Sequence, residues 1–134
     1  MATANKTDDL LAQFETIDTA TLTVENPKGG DLLFNGQPVT IELYGPGTPE
    51  FVRAKHKLDT NTQARTVAVF QNKSSRHAAE EAFRDEAEFL AGVTKSINNF
   101  PLTNALEVYS NRKLSYIADQ VNRFLGKTEN FMPA

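Results

Sequence analysis

The turn at residues 45–47 (Gly-Pro-Gly) separates two parts of the chain with different apolar periods, and no other feature constrains the fold as strongly. Before the turn, Val39, Ile41 and Leu43 alternate with polar or aromatic residues, which is typical of a strand that buries one face. Two glycines free the backbone and the proline removes a hydrogen-bond donor, so the strand ends here. We therefore expect β structure before the turn and helices after it.

Signals for the start of a helix follow the turn directly. Thr48 can cap the helix with its hydroxyl group, Pro49 suits the first helical position, and Glu50 suits the positive end of the helix dipole. The sequence therefore predicts an α+β fold. A small antiparallel sheet lies within residues 19–44, and a mostly helical portion of three to four helices covers residues 49–126.

The chain of 134 residues is long enough for a single domain with one core. We expect residues 1–13 to be mobile, because the segment begins with small and polar residues. Apolar spacing predicts a helix from Pro49, with a kink or break near residues 59–62, and a second helix over residues 76–97. The predicted core consists of Val39, Ile41, Leu43, Phe51, Leu58, Phe83, Leu90, Ile117, Val121 and Phe124.

The composition excludes several kinds of function. The chain has no cysteine, so disulfides and thiolate zinc sites are excluded, and its net charge of −3 provides no basic field for nucleic acid. No apolar run is long enough to span a membrane. His56 and His77 are far apart in the sequence, and a solvated helix face explains the acidic residues 80–88. We therefore expect no catalytic residue, no cofactor and no metal.

Short motifs follow one another along most of the chain. They are Phe14-x-x-Ile17-Asp18-Thr19, Ala20-x-Leu22-x-Val24-x-Asn26-Pro27, Pro38-Val39-Thr-Ile-Glu-Leu-Tyr-Gly45, Phe51-x-x-Ala54, Asn104-Ala105-x-x-x-x-Tyr109, Ile117-x-x-Gln120-Val121-x-x-Phe124 and Asn130-Phe131. This order resembles a group of small tail-region proteins of tailed bacteriophages and prophages, which are often regarded as tail assembly chaperones.

The resemblance implies a non-enzymatic protein in the cytoplasm of a bacterial host. It implies binding to the long, helix-rich tape measure protein before the tail-tube subunits polymerise around it. Two alternatives stay open. One is a structural minor tail or head–tail connector protein, which suits the β segment and the turn-rich residues 26–38. The other is a small nucleic-acid-binding regulator, which is supported only by the basic residues Arg53, Lys55 and Lys57.

Surplus apolar residues indicate where a partner, or a second copy of the chain, binds. A helical domain needs one apolar stripe per helix for its own stability, so residues beyond that stripe are available to a partner. The predicted partner-binding residues are Phe89, Val93, Leu125, Phe131 and Met132. The alternative for Phe131 is that it only fastens the C-terminus to the core.

Overall fold

The computed structural model describes residues 6–71 and 75–134, and the predicted mobility of residues 1–5 lies outside that part of the chain. The strands are β1 (Thr19–Thr23), β2 (Leu33–Phe34), β3 (Gln37–Pro38), β4 (Thr40–Tyr44) and β5 (Thr94–Asn98). The α-helices are α1 (Lys6–Ala12), α2 (Pro49–Phe70), α3 (Ser75–Gly92), α4 (Ala105–Ser110) and α5 (Ser115–Leu125). Two 3₁₀ helices cover Arg112–Leu114 and Thr128–Phe131. The α+β prediction is confirmed.

The main sheet is antiparallel and has the strand order β1-β4-β5, so the predicted strand β4 lies in its centre. Ile41 of β4 lies opposite Leu22 of β1 and Ile97 of β5. These three side chains share one face of the sheet, because alternate residues of a strand point to the same side. β2 and β3 form a separate two-stranded hairpin within the connection from β1 to β4.

The prediction of one helix over residues 76–97 is wrong at its C-terminal end. α3 ends at Gly92, and residues 94–98 form β5 at the edge of the main sheet. The N–H of Tyr44 donates to the carbonyl of Val93 at 2.8 Å, which begins the pairing with β4. The β-branched residues Val93, Thr94 and Ile97 suit a strand. This strand pairs with the edge of β4 that β1 leaves open, and the spacing of apolar residues along α3 does not reveal that pairing.

The helix that begins at Pro49 has the predicted cap, since the N–H of Phe51 donates to the hydroxyl of Thr48 at 3.2 Å. It continues to Phe70 with no break at residues 59–62. A polar side chain can interrupt a helix by forming hydrogen bonds with the nearby backbone. Here the side-chain amide of Asn61 instead donates a hydrogen bond to Asp85 of α3.

The core lies between one face of the main sheet and the helices α4, α5 and the C-terminal half of α3. Its buried residues include Val39, Ile41, Leu43, Leu90, Ile117 and Val121, as predicted, together with Val24, Ala87, Val93, Ile97, Val108, Tyr109 and Phe131. The other predicted core residues, Phe51, Leu58, Phe83 and Phe124, are half-buried. Phe83, for instance, is covered by the guanidinium of Arg112, which lies 4.0 Å from the ring centroid.

Candidate functional site: a groove along the α2–α3 hairpin

Helix α2 has an unusual position, because it packs mainly against α3 and none of its residues is buried. The residues on its α3 side recur every three or four positions and are half-buried; they are Phe51, Ala54, Leu58, Asn61, Arg65 and Ala68. This spacing is that of one helix face, so α2 and α3 form a two-helix layer. A layer of only two helices leaves the seam between them open to solvent.

Two adjoining cavities of about 240 and 520 Å³ lie along this seam. Both are lined by Asn61, Asp85 and Glu88, so they form one continuous groove, which we call the hairpin groove. It extends along α2 from Glu50 to Val69. At 1.5 Å per residue, the groove is roughly 28 Å long.

The floor of the hairpin groove is made of small and apolar residues. Ala54, Leu58 and Phe89 line one end, where a Cβ atom added to Gly92 would lie 3.0 Å from the Cβ of Ala54. The opposite end is lined by alanines, at positions 64, 68 and 78. Because alanine and glycine let helix backbones come close, this floor can accept a third helix over the seam.

A polar cluster lies in the middle of the groove. The Arg65 guanidinium forms an ion pair with the Asp85 carboxylate, and these side chains are only 14% and 8% exposed. Asn61 donates to the same carboxylate at 3.3 Å, and Arg65 donates to the hydroxyl of Thr62 at 3.3 Å. The carboxylate is thus held by two donors, and the cluster fixes the register of α2 against α3.

Both rims of the groove carry charges of both signs. The charged residues are Glu50, Arg53 and Lys57 on the α2 side and Glu81, Arg84 and Glu88 on the α3 side. Lys57 and Glu88 approach each other to 3.6 Å across the seam. A helix that binds here therefore meets charged side chains of both signs along each flank.

No group of three or more metal-binding side chains among the described residues is placed to hold a metal ion, and none of the helices in that part of the chain is both long and apolar enough to cross a membrane. Burial raises the pKa of Tyr109 to about 12, an effect that the hydrogen bond with Thr94 at 2.7 Å partly offsets. Tyr109 belongs to the core rather than to a cleft.

The structure brings one of the five predicted partner-binding residues into the hairpin groove. Phe89 lines the groove, and its ring packs edge-to-face on Phe51 with centroids 5.8 Å apart. Leu125 is half-buried and Met132 is 38% exposed, and both belong to the C-terminal region of the chain. The surplus of apolar residues on α3 thus marks part of the groove.

Val93 and Phe131 are fully buried, so their side chains offer no surface to a partner in this structure. Val93 belongs to the start of the β5 pairing rather than to a helix face. The ring of Phe131 packs edge-to-face on Phe124 at 5.5 Å, and its carbonyl accepts from the N–H of Ile17 at 2.7 Å. The structure therefore agrees with the alternative in which Phe131 fastens the C-terminus to the core.

The apolar stripes of the sequence do not reveal the hairpin groove. The sequence signal that indicates it is a set of alanines on α2 and α3, at positions 54, 64, 68 and 78, which line the groove. Comparison with protein-family models, with curated proteins and with solved structures finds no significant match.

Proposed function

We propose that this chain is a non-enzymatic binding protein that takes a partner helix into the hairpin groove. On the resemblance of its motifs to phage tail-region proteins, we propose the tape measure protein of a bacteriophage or prophage as that partner. The chain would then act as a tail assembly chaperone in the cytoplasm of the bacterial host.

The observation that carries this proposal is the open seam between α2 and α3. A helix laid over that seam would complete a three-helix arrangement and cover the half-buried face of α2. Amphipathic helices bind to other proteins in this way, with apolar anchors at helical spacing in the groove and charges on its rims. A tape measure protein is rich in long helices and offers many such segments.

The chemistry of the groove also suits a partner that is later released. Its floor is mostly alanine, so each anchor buries little area, and its rim charges are partly satisfied within the chain, as in the pair of Lys57 with Glu88. Burial of little apolar surface gives a modest affinity. A chaperone that is displaced when the tail tube forms requires such reversible binding.

Co-expression with a helix-rich tape measure protein, followed by an affinity measurement on the purified complex, tests the proposal. The variant Ala64→Glu/Ala78→Glu places two carboxylates in the groove, and we expect it to weaken binding by roughly tenfold or more, because charges would be desolvated there. The matched control, Thr60→Glu/Gln63→Glu, adds the same charge to an exposed part of α2 outside the groove and should bind normally. Equal binding by the two variants, both folded by circular dichroism, would overturn the proposal.

A structural tail or connector protein is the second candidate, and the β2–β3 hairpin favours it. Leu33 and Phe34 are exposed on this hairpin, and the amide of Asn99 holds it by donating to the carbonyls of Phe34 and Gln37, each at 2.9 Å. A firmly held loop with exposed apolar residues suits a permanent docking contact. Purified phage particles distinguish the candidates, because a structural protein is retained in them and a chaperone is absent.

A further inference from the structure

Strand β1 lies at one edge of the main sheet, and most of its outer backbone groups are unpaired. The carbonyl of Asp18 accepts from the N–H of Gly45 at 2.7 Å, so the even-numbered residues of this segment bond to β4. Because successive residues of a strand bond to opposite sides, the N–H and C=O groups of Thr19, Thr21 and Thr23 point to the outer side. None of these six groups has a hydrogen-bond partner in the described part of the chain.

The protein itself closes both ends of this outer edge. At one end, the N–H of Ile17 donates to the carbonyl of Phe131 at 2.7 Å. At the other end, the side-chain amide of Gln120 accepts from the N–H of Glu25 at 2.7 Å and donates to its carbonyl at 2.8 Å, as a peptide group of a neighbouring strand does. Between the two ends lie the five residues Thr19–Thr23, about 14 Å of strand, which we call the open edge.

The open edge borders a cavity of about 480 Å³ between β1 and the end of α5, which we call the β1–α5 groove. Leu22 of β1 and Phe124 of α5 provide its apolar lining. Its charged lining residues are two cations and two carboxylates, namely Arg123, Lys127, Glu25 and Glu129. Because these charges balance, the groove selects a ligand by backbone hydrogen bonds and by fit to the apolar lining rather than by net charge.

The two edges of the main sheet differ in how they oppose the addition of another strand. Soluble proteins commonly protect an edge strand with a lysine, a proline or a bulge. β5 carries Lys95, and its register with β4 shifts between Glu42 and Leu43. β1 has the sequence Thr-Ala-Thr-Leu-Thr, with no charge and no proline, and its register with β4 is unbroken. The open edge of β1 is therefore the edge that can accept a strand.

The spacing of the unpaired groups identifies the kind of ligand. They recur at every second residue, about 7 Å apart, which is the repeat of an extended backbone rather than that of a helical turn. A second copy of β1 does not fit, because antiparallel pairing of two β1 strands about Thr21 brings Phe131 of one copy against Gln120 of the other. A separate extended segment carries no such groups at its ends.

The two faces of the sheet define which side chains that segment needs. Ala20 and Leu22 pack against the core, so ligand residues opposite them lie on the core face, beside Phe124. Ligand residues opposite the three threonines lie on the other face. The segment therefore alternates apolar residues with uncharged, β-branched residues such as threonine.

We propose that the β1–α5 groove binds an extended segment of about five residues from a partner protein, which pairs antiparallel with β1 as a fourth strand of the main sheet. Thr19, Thr21 and Thr23 supply the backbone hydrogen bonds, and Leu22 and Phe124 receive the apolar side chains. This inference is independent of the proposed function, because it uses neither α2 nor the hairpin groove.

A fluorescently labelled peptide with blocked ends, Gly-Thr-Val-Thr-Leu-Thr-Gly, is the probe, and fluorescence anisotropy with the full chain measures its binding. We expect N-methylation of its three threonines to weaken binding by about tenfold or more, because it removes the donors that face β1. The matched peptide is N-methylated at valine, leucine and the last glycine, whose N–H groups face away, and should bind like the unmodified peptide. Amide hydrogen exchange at Thr19, Thr21 and Thr23 should slow when the unmodified peptide is bound.

A substitution in β1 tests the same contact from the side of the protein. Thr21→Pro removes an outer N–H and no bond to β4, and it should weaken peptide binding by about tenfold or more, whereas the matched control Thr21→Val keeps that N–H and should bind normally.

Three results would overturn the proposal. The first is the absence of saturable binding of the unmodified peptide up to about 1 mM, and the second is equal binding of the two methylated peptides. The third is a dimer of the free protein, seen by sedimentation equilibrium, that Thr21→Pro dissociates and Thr21→Val does not, because it would assign the open edge to a second copy. Should Thr21→Pro fail to fold by circular dichroism, the two methylated peptides still decide the question on the unchanged protein.

Discussion

The body of the molecule and the outer half of its helical hairpin are built in different ways. The body, formed by the main sheet, α4, α5, the end of α3, the C-terminal 3₁₀ helix and the residues that flank the strands, contains the entire buried apolar set found among the described residues. The outer half of the hairpin, residues 61–70 and 77–82, contains no buried residue, yet it is regular helix. Local helix-forming interactions and one polar cluster therefore maintain these helices without a buried apolar layer, which leaves their surface available to a partner.

The contacts in the two regions also differ in range. In the body, the side chain and carbonyl of Phe131 connect the C-terminus to Phe124 and to Ile17. The outer hairpin is held by the ion pair of Arg65 with Asp85, which lies just beyond it on α3, and by pairs within one helix such as His77 with Glu81 at 2.7 Å. Regions with few buried contacts open locally more often than the whole chain unfolds.

The largest expected contrast between the two regions comes from one phenylalanine in each. Phe131→Ala leaves a cavity in the body and should lower the free energy of unfolding by about 3–5 kcal/mol. Phe70→Ala removes a side chain that is 85% exposed at the end of α2 and should change it by less than about 0.5 kcal/mol. Urea denaturation of both variants provides the measurement, and equal losses would remove the distinction between the regions.

The body should show an effect of pH on stability, because burial raises the pKa of Tyr109 from 10.0 to about 12. Below about pH 10 both folded and unfolded states keep the phenolic proton, and from there to about pH 12 the unfolded state loses it first. The stabilisation is therefore present below pH 10 and is lost as the pH rises, by about 2–3 kcal/mol in total.

Urea denaturation at about pH 9 and about pH 11.5 measures this loss. Tyr109→Phe keeps the ring and should lower stability by about 1 kcal/mol at neutral pH, because the hydrogen bond with Thr94 disappears. Its stability should fall less steeply with rising pH than that of the unchanged protein. Identical pH slopes would show that Tyr109 does not titrate between the two states in this range.

The polar cluster of the hairpin should give a smaller effect. Asp85→Ala leaves the Arg65 guanidinium and the Asn61 amide without their shared acceptor, and it should lower stability by about 2 kcal/mol. The double variant Arg65→Met/Asp85→Ala should regain part of that loss, because no unpaired charge remains. Thermal unfolding of both variants and of Arg65→Met completes the cycle, and strict additivity would mean that the two side chains do not interact.

The sequence predicts the centre of the fold well, because those signals are local. The alternation of Val39, Ile41 and Leu43 and the cap at Thr48 depend on residues a few positions apart, and both are found in the structure. β5 could not be found in this way. Val93 and Ile97 continue the helical spacing of α3, and their strand character depends on β4, about fifty residues earlier.

Burial in the hairpin was harder to predict for a related reason. The spacing of Phe51 and Leu58 correctly identifies the α2 face that meets α3, but it does not say how much of the molecule lies over that face. The surplus of apolar residues on α3 predicts Phe89 as a contact residue, whereas the groove around it depends on how the two helices pack. The apolar stripes of α2 and α3 can be predicted from a single sequence. Whether another helix covers the seam between them cannot.

The smallest expected effect tests whether the outer hairpin opens separately from the body. Thr60 is exposed on α2, and Thr60→Ala replaces a β-branched residue by the best helix former, which should stabilise the helix by about 0.5 kcal/mol. If the hairpin opens locally, amide hydrogen exchange in the second half of α2 should slow by roughly twofold, while exchange of the β4 and α5 amides stays the same. The matched control Thr21→Ala replaces an exposed threonine of β1, which is a poor site for alanine, and should not slow exchange in α2. If Thr60→Ala instead slowed exchange in the body to the same extent, the two regions would unfold as one unit and the contrast between them would be one of packing alone.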